Sequence, residues 1–414
     1  MSIQRQFQDD GFEFDRLMLL GGAYRGLTDA GEVLVALDAV VDGDKESWIA
    51  VFTSLGERLL AQADLSLAGG HRASARAAYL RASAYFATAS ASSPGTSDPD
   101  RFVTLWERHR AAWDAAVPLF DPPVEAVEIP YEGTTLAGYF FHANPTASPA
   151  NIDGGRPTII LNNGSDGPVS DMWRWGAAAA VERGWNAITF DGPGQNSALH
   201  HQHLPFRADW EAVITPVVDW LVGRREVDRD AIVLHGVSQA GYWVPRAIAF
   251  EHRIAAAVAD PGVVRVGDSW RSSTPDVMLE LLDDGDATNF DAFMHAGMAE
   301  DPVAKALVKW RMAPYGTESP FEAYTAADAM SLDTDTMDQI RCPLLITDPD
   351  GEQFWPGQSA ELHAGVAGST LMRFTEAEGA AWHCEPAAAA LRDERVFDWL
   401  DDVLARRPAT VSAS

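Results

Sequence analysis

The spacing of hydrophobic residues changes near residue 125, and this change divides the chain into two regions. In the first region, apolar residues recur every three or four positions, which is the repeat of a helix that buries one face. One such run contains Ala73, Ala77, Leu80 and Ala84. We therefore predict a helical region over 1–125, with a loop over 90–100 because Ser, Pro, Gly and Asp dominate that stretch.

Short apolar runs bounded by turn residues follow residue 125. The first two, 124–130 and 136–142, are separated by a Glu-Gly-Thr turn and predict a strand pair. The later runs are separated by helix-length segments, which is typical of buried parallel strands covered by helices on both faces. They are 158–161, 187–190, 231–234, 255–259, 343–347 and 370–374. The pattern predicts an α/β fold class.

The segment 262–340 interrupts this alternation. It is too long for a simple crossover between strands, so we predict a largely helical insertion over the carboxyl edge of the sheet. Ligands bind at that edge in open α/β sheets. The predicted organisation is a helical region over 1–125, a first core part over 126–261, the insertion over 262–340 and a second core part over 341–414.

Composition narrows the classes of partner. The 414 residues include 31 basic and 60 acidic side chains, a formal net charge of −29, which argues against nucleic-acid and membrane-surface partners. No apolar run approaches the ~18–20 residues that span a bilayer, and carboxylates near the N-terminus do not suit a signal peptide. Two cysteines, Cys342 and Cys384, provide neither a disulfide framework nor zinc spacing. We expect a soluble, cytoplasmic protein that binds a small molecule and no cofactor.

A candidate nucleophile follows the predicted strand 231–234, in the sequence HGVSQAG at 235–241. A Gly-x-Ser-x-small pattern at a strand-to-helix turn exposes a serine on a strained backbone, and its neighbours two residues away must be small. A serine in an ordinary turn could show the same letters. The strand before it and the helix-compatible segment after it favour Ser238 as a nucleophile.

A serine nucleophile needs a base that is held by a third group, and in such sites the chain order is Ser, acid, His. Two histidines lie late enough in the chain, His363 and His383. His363 falls in a helical segment, where a solvated side chain is expected. His383 lies in the loop between the last predicted strand and a final helix, so we predict that it is the base.

The acid is expected just after the predicted strand 343–347, where Asp348, Asp350 and Glu352 compete. Glu352 lies four residues before Pro356, a spacing that places its carboxylate at the tip of the turn. We therefore favour Glu352 as the acid, with Asp350 and then Asp348 as the open alternatives. The two carboxylates that do not serve as the acid are expected to be solvated turn residues.

Two backbone N–H groups are needed to stabilise an oxyanion. The N–H of Gln239, directly after the nucleophile, is one candidate. The second is the N–H of Ser165 in the loop NNGSDG at 162–167, where Gly164 would allow a close backbone approach. The alternative interpretation of 162–167 is an ordinary glycine-rich loop that has no role in catalysis.

Further residues are candidates for the lining of a substrate pocket. Trp173 and Trp243 are close in sequence to the predicted oxyanion loop and nucleophile, with core packing as the alternative. Asp166 belongs to the predicted oxyanion loop at 162–167. Asp191 belongs to a tight turn directly after the strand 187–190. We discard a metal site at His200, His201 and His203, since their spacing points the side chains to different faces, and a Cys384 nucleophile, since no separate base remains for it.

Several motifs resemble one known group of enzymes. The turn DGPGQ at 191–195, the elbow around Ser238 and the late His383 are similar to the α/β-hydrolase group that contains 2,6-dihydroxypseudooxynicotine hydrolase, and to fungal polyketide-shortening hydrolases. The segments 70–76 and 121–125 resemble the helical N-terminal region of that group. Two positions depart from its pattern: Ala240 stands where Gly is usual, and Glu352 where Asp is usual.

The resemblance implies an α/β-hydrolase fold with a mostly parallel sheet of about eight strands. It also implies a lid built from the N-terminal helices and the insertion, and a homodimer. Characterised members of the group cleave carbon–carbon bonds next to a ketone, and other relatives are esterases.

Three hypotheses of function follow. The first is a serine hydrolase that acts on a small ketone or ester, including carbon–carbon cleavage of a β-diketone or an acyl-aromatic or polyketide compound. The second is a carboxylesterase or acyl-peptidase with the same residues, although no second large β domain is present to gate peptides. The third is a non-catalytic binding protein, against which the full Ser, acid and His set argues.

Overall fold

The computed structural model describes residues 3–147 and 154–406, which contain seventeen α-helices and eight strands. The helices are α1 (Asp10–Gly22), α2 (Ala30–Asp38), α3 (Lys45–Ala68), α4 (Arg72–Ser92), α5 (Arg101–Ala116), α6 (Ala177–Glu182), α7 (Asn196–His200), α8 (Glu211–Val222), α9 (Ala240–Ile248), α10 (Asp268–Arg271), α11 (Asp276–Asp283), α12 (Ala287–Glu300), α13 (Pro302–Met312), α14 (Pro320–Asp328), α15 (Thr334–Met337), α16 (Gln358–Gly365) and α17 (Ala389–Ala405). The strands are β1 (Glu125–Tyr131), β2 (Thr134–Phe141), β3 (Arg156–Asn162), β4 (Asn186–Phe190), β5 (Val227–Val237), β6 (Ala256–Asp260), β7 (Leu344–Pro349) and β8 (Thr370–Phe374).

These strands form one sheet in the order β1-β2-β4-β3-β5-β6-β7-β8. β2 runs antiparallel to both β1 and β4, and every other neighbouring pair is parallel. The sheet confirms the predicted α/β class and the mostly parallel arrangement of eight strands. Each strand predicted from an apolar run is present, with ends displaced by a few residues.

The sheet is buried on both faces, which explains why its strands are continuous apolar runs. Successive residues of β3 enter opposite cores: Ile160 packs with α8 and α9, and Ile159 packs with α4, α6 and α17. This alternation follows from the two-residue period of a strand. Because β4 and β6 are buried along their whole length, the loops at their carboxyl ends are held on a rigid base.

The helical region before β1 has a core of its own and also covers one face of the sheet. Trp48, Phe52 and Phe86 are buried between α1, α3 and α4. The loop predicted over 90–100 begins later than expected, because α4 continues to Ser92. Ser90 is buried and its hydroxyl donates to the carbonyl of Ala87 within the helix, which satisfies a polar residue that otherwise favours a loop.

The N-terminal helix α1 is docked on the segment that follows His383. Gly21 lies so close to the carbonyl oxygen of Pro386 that a Cβ atom at this position would overlap it. Close by, the buried guanidinium of Arg25 lies 2.7 Å from the carboxylate of Asp393 in α17. The helical region is therefore attached to the same part of the core that carries the late histidine.

Six of the helices, α10 to α15, lie between β6 and β7 and correspond to the segment predicted as an insertion. The first five of them, α10 to α14, share a small core that includes Trp270, Phe290 and Tyr324. The N–H of Phe206 donates to the carbonyl of Pro314 at 2.6 Å and ties this segment to the loop after α7. In the described part of the chain, no helix is long and apolar enough to cross a bilayer.

Candidate active site

Ser238 lies at the sharp turn between β5 and α9. Its φ angle is +60°, a conformation that costs about 1–3 kcal/mol for a non-glycine residue and persists where the surroundings impose it. A Cβ atom at Gly236 would lie 2.8 Å from the Cβ of Ala240, and one at Gly241 would overlap the carbonyl oxygen of Pro261. The turn therefore needs small residues on both sides of the serine. Ala240 fits because Gly236 faces it.

The structure brings Ser238, His383 and Glu352 together in one hydrogen-bonded chain. His383 Nε2 lies 2.9 Å from Ser238 Oγ, and His383 Nδ1 lies 2.7 Å from Glu352 Oε2. Both the imidazole and the carboxylate are about 95% buried. Because Nδ1 of the ring is held by the Glu352 carboxylate, Nε2 is free to accept the proton of the Ser238 hydroxyl.

Glu352 is kept as a carboxylate by donors on two sides. Its Oε1 accepts the N–H groups of Phe354 at 2.9 Å and Trp355 at 3.1 Å, and its Oε2 faces His383. Burial alone would raise the pKa of Glu352, but His383 and these two N–H groups outweigh it and lower that pKa. The carboxylate is thus ionised and oriented toward the histidine.

The alternative acids and the alternative histidine are engaged elsewhere. Asp350 accepts a hydrogen bond from Arg373 at 2.8 Å, and Asp348 lies 3.8 Å from the same guanidinium. His363 Nδ1 is 2.8 Å from the hydroxyl of Ser369. None of these three side chains takes part in the chain from Ser238 to Glu352. The helix that follows Glu352 begins at Gln358, two residues after Pro356.

The loop after β3 passes directly beside Ser238. A Cβ atom at Gly164 would lie 2.8 Å from the Cβ of Ser238 and 3.3 Å from its Oγ, so only glycine fits. The N–H of Gly164 is taken by the side chain of Asn163 at 2.8 Å. Within residues 3–147 and 154–406, the N–H groups of Ser165 and Gln239 make no backbone–backbone hydrogen bond, which leaves them available to an oxyanion.

Gln195, the last residue of the DGPGQ turn, holds this loop in place. Its Nε2 donates to the carbonyl oxygens of Asn163 at 2.8 Å and Gly164 at 2.6 Å, and its Oε1 accepts the N–H of Gly192 at 2.7 Å. The side chain is completely buried. Apart from the presence of the turn, no sequence signal indicates this role of Gln195.

Asp191 and Trp243 do not line the cavity described below, which corrects two expectations. Asp191 is completely buried, accepts the hydroxyl of Ser197 at 2.7 Å and pairs with Arg110 of α5 at 3.1 Å, so it links the helical region to the core. The ring of Trp243 is stacked on Trp210 at 4.0 Å and fills the core behind the elbow.

Trp173 is a third correction, because it belongs to a different recess. Its ring is stacked on Phe141 at 5.6 Å and contacts Phe120 edge-on at 5.0 Å. Its indole N–H donates to the carbonyl of Arg25. Trp173 therefore packs the helical region against the sheet and does not face the triad.

A cavity of about 220 Å³ lies between the helical region and the core, and its wall approaches His383 through Phe14 without including Ser238, Glu352 or His383. Asp166, which directly follows Ser165, forms part of its wall, and so does Phe14, whose ring is 6.5 Å from that of His383. The remaining wall is mostly apolar and includes aromatic side chains from the helical region and the insertion. The large apolar side chains in the wall are Phe14, Met18, Leu19, Leu27, Phe102, Trp106 and Trp310.

Three aspartates line this cavity: Asp171, which lies 2.8 Å from the guanidinium of Arg174, and Asp15 and Asp166. Burial and the charge of Asp166 raise the pKa of Asp15 to about 7, against the opposing effect of Lys45. Burial also raises the pKa of Asp166, although the Ser165 hydroxyl, Arg311 and His383 oppose it. The cavity therefore disfavours two full negative charges.

The three histidines after the turn at 191–195 are packed with aromatic rings or exposed. His200 lies against Phe102 at 5.2 Å and Trp106 at 5.6 Å, and His201 contacts the other side of Trp106. Over the residues that the structure describes, no group of three or more His, Cys, Asp or Glu side chains is arranged to hold a metal ion.

An α/β hydrolase has this order of strands in its sheet, a serine at a strained strand-to-helix turn, an acid after the seventh strand and a histidine after the eighth. The present chain has all four features. No family model matches the chain. It is 31% identical to "Hydrolase LUC6" of a Fusarium species over 97% of this chain and 98% of that one. It is 30% identical to "Alpha/beta hydrolase xenA" of Xenoacremonium sinensis, covering 87% and 85%. The crystal structure of 2,6-dihydroxy-pseudo-oxynicotine hydrolase superposes with a TM-score of 0.72 at 22% identity, covering 93% and 95%.

The chain therefore belongs to the α/β-hydrolase family, and it is a hydrolase. The resemblance found in the sequence is confirmed.

Proposed function

We propose that the protein is a serine hydrolase in which Ser238 is the nucleophile, His383 the general acid and base, and Glu352 the residue that orients His383. The observation that carries the proposal is His383, which lies between the serine and the carboxylate at 2.9 and 2.7 Å. The φ of +60° at Ser238 supports it, because strain of this kind is found at nucleophile elbows.

The reaction follows from these positions. His383 Nε2 takes the hydroxyl proton of Ser238, and Oγ attacks the substrate carbonyl carbon. The N–H groups of Gln239 and Ser165 stabilise the oxyanion. As the carbonyl re-forms, the leaving group departs and takes the proton from His383, and a water activated by His383 then releases the acid and frees Ser238.

The proposed substrate is a small ketone, with cleavage of the carbon–carbon bond next to its carbonyl. Such a bond breaks when the departing carbanion is stabilised as an enolate, and the carbon must then be protonated away from bulk water. The apolar, aromatic wall of the cavity and its cover from the helical region and the insertion suit this step.

Product analysis tests the type of bond. The protein is incubated with a panel of β-diketones, acyl-phenols and matched aryl esters, and the products are identified by mass spectrometry. A carboxylic acid plus a ketone from a β-diketone, or plus a phenol from a C-acylated phenol, supports the proposal when that compound has the highest kcat/KM. If the substrate with the highest kcat/KM is an aryl ester that yields only its acid and its phenol, the protein is an esterase instead.

A fluorophosphonate probe tests the serine independently of the substrate. We expect the wild-type protein to be labelled at Ser238 and the Ser238→Ala variant to remain unlabelled. No label on the wild-type protein would favour a non-catalytic protein.

A further inference from the structure

Three buried titratable side chains lie directly behind the triad. They are His235 in β5, Asp260 at the end of β6 and Glu385, two residues after His383. Glu385 and Asp260 are completely shielded from solvent, and His235 is nearly so. None of the three is in the hydrogen-bonded chain from Ser238 to Glu352, so their burial needs another explanation.

Asp260 connects the nucleophile to the loop that carries the base. Its carbonyl oxygen accepts the N–H of Ser238 at 2.6 Å and the thiol of Cys384 at 3.2 Å. Its carboxyl Oδ1 accepts the hydroxyl of Thr347 at 2.8 Å. Any force that fixes Glu385 relative to Asp260 therefore also fixes His383 relative to Ser238.

The carboxyl group of Glu385 interacts with that of Asp260, whereas Nε2 of the buried His235 lies 3.9 Å from Oδ2 of Asp260, beyond hydrogen-bond distance. In the described chain, both oxygens of Glu385 and Oδ2 of Asp260 lack a hydrogen-bond partner. Arg392 is close, but it donates to the carbonyls of Arg174 at 2.7 Å and Cys384 at 3.4 Å. Two unpaired buried carboxylates are very costly, whereas a single shared proton satisfies an oxygen on each group.

The surroundings decide which group holds that proton. Burial would raise the pKa of Asp260, but His235, Arg392 and Thr347 outweigh it and lower that pKa. Burial and the charges of Asp260 and Glu352 raise the pKa of Glu385 well above its usual value, against the opposing charge of Arg392. These opposite directions favour Asp260 as the anion and Glu385 as the protonated partner.

The backbone at this loop needs to be held. Cys384 and Glu385 have φ angles of +56° and +48°, each a conformation that costs about 1–3 kcal/mol for a residue other than glycine. Two such residues in a row, directly after His383, persist only when side-chain contacts impose them.

We propose that Glu385 is a positioning residue that acts as a neutral acid: it donates its proton to Oδ2 of Asp260 and thereby aligns His383 with Ser238. The inference rests on the proposed function, because it concerns the alignment of that serine and histidine.

Two variants of the full-length protein test it, Glu385→Gln and Glu385→Ala, with the exposed Glu394→Gln as the matched control. The readout is the rate at which a fluorophosphonate labels Ser238. Glutamine keeps an N–H donor, so we expect Glu385→Gln to be labelled within about threefold of the wild-type rate at neutral pH. Alanine leaves Oδ2 of Asp260 without a donor, so Glu385→Ala should be labelled about 10- to 100-fold more slowly.

Infrared spectroscopy tests the protonation state directly. The wild-type protein should show a protonated-carboxyl C=O band that is missing in Glu385→Gln and retained in Glu394→Gln. The infrared measurement does not use Glu385→Ala, so it decides the question even if that variant fails to fold.

The inference is overturned if Glu385→Gln is labelled as slowly as Glu385→Ala, if Glu385→Ala folds and is labelled at the wild-type rate, or if the band is the same in wild type and Glu385→Gln. A wild-type protein that the probe does not label overturns the proposed function instead, and the two failures are thus distinguished.

Discussion

The side-chain amide of Gln195 donates a 2.6 Å hydrogen bond to the carbonyl oxygen of Gly164. Gly164 in turn lies against Ser238, so a residue of the turn after β4 sets the position of the loop next to the nucleophile. The geometry of the proposed oxyanion site therefore depends on a side chain whose own hydrogen bonds go to this loop and to Gly192, and not to Ser238.

Replacement of Gln195 should reduce the rate without removing substrate binding. We expect Gln195→Ala to lower kcat by about 10- to 100-fold, less than the ~10²–10³ caused by loss of an oxyanion donor itself, with KM changed little. Gln202→Ala is the control, since Gln202 donates a comparable 2.8 Å bond to Thr135 and does not contact the loop. Steady-state kinetics on the best substrate gives both constants. Equal effects of the two variants would argue against the role of Gln195.

Ser238→Ala should abolish turnover and leave the fold intact. We expect kcat to fall by about 10⁴–10⁶, because the members of a triad act as a unit. Circular dichroism should show an unchanged spectrum, since the hydroxyl makes its only side-chain contact in the described residues with His383. Retention of more than about a tenth of the activity is incompatible with the assignment.

The choice of acid is tested by three substitutions of similar chemistry. Glu352→Gln should lower kcat by about 10²–10⁴, because the histidine loses the partner that fixes its tautomer. Asp350→Asn and Asp348→Asn should be much milder, since both carboxylates face Arg373. A large loss in Asp350→Asn together with an active Glu352→Gln would assign the role to Asp350.

Asp15 should make the stability of the protein depend on pH. Its pKa of about 7 in the folded chain is higher than that of an unfolded aspartate, so the folded state binds the proton more tightly. The associated stabilisation is complete below about pH 4 and is lost as the pH rises to about 7. Asp15→Asn should consequently raise Tm relative to wild type at pH 8 and change it little at pH 4.

Thermal melts at the two pH values measure this effect. The exposed Asp38→Asn is the control and should show the same small difference at both. A Tm gain for Asp15→Asn that is equal at pH 4 and pH 8 would contradict the raised pKa.

The elements of the sheet could be predicted from the sequence because burial on both faces leaves continuous apolar runs such as those of β4 and β6. Ser238, Glu352 and His383 could be singled out because each follows a strand whose carboxyl end lies at the same edge of the sheet. Local sequence is sufficient for these inferences.

The lining of the cavity could not be predicted, because it depends on how distant elements pack. Phe14 and Asp15 belong to α1, and only the docking of that helix on the core brings them near His383. Proximity in sequence also misled the expectation for Trp243, because the side of α9 that carries it faces the core. Asp191 and Gln195 lie in one turn, yet one anchors α5 and the other the loop after β3.

The contact between Gly21 and the carbonyl of Pro386 has a consequence for recombination between relatives. A chimera that joins the first 125 residues of one enzyme to the core of another must bring two backbones into direct contact, and a side chain at position 21 would push the histidine loop outward. Such an exchange succeeds only if the donor has glycine there, or if residues 383–393 are transferred with the helices. The natural unit of exchange is therefore discontinuous and consists of the N-terminal helices together with the segment around His383.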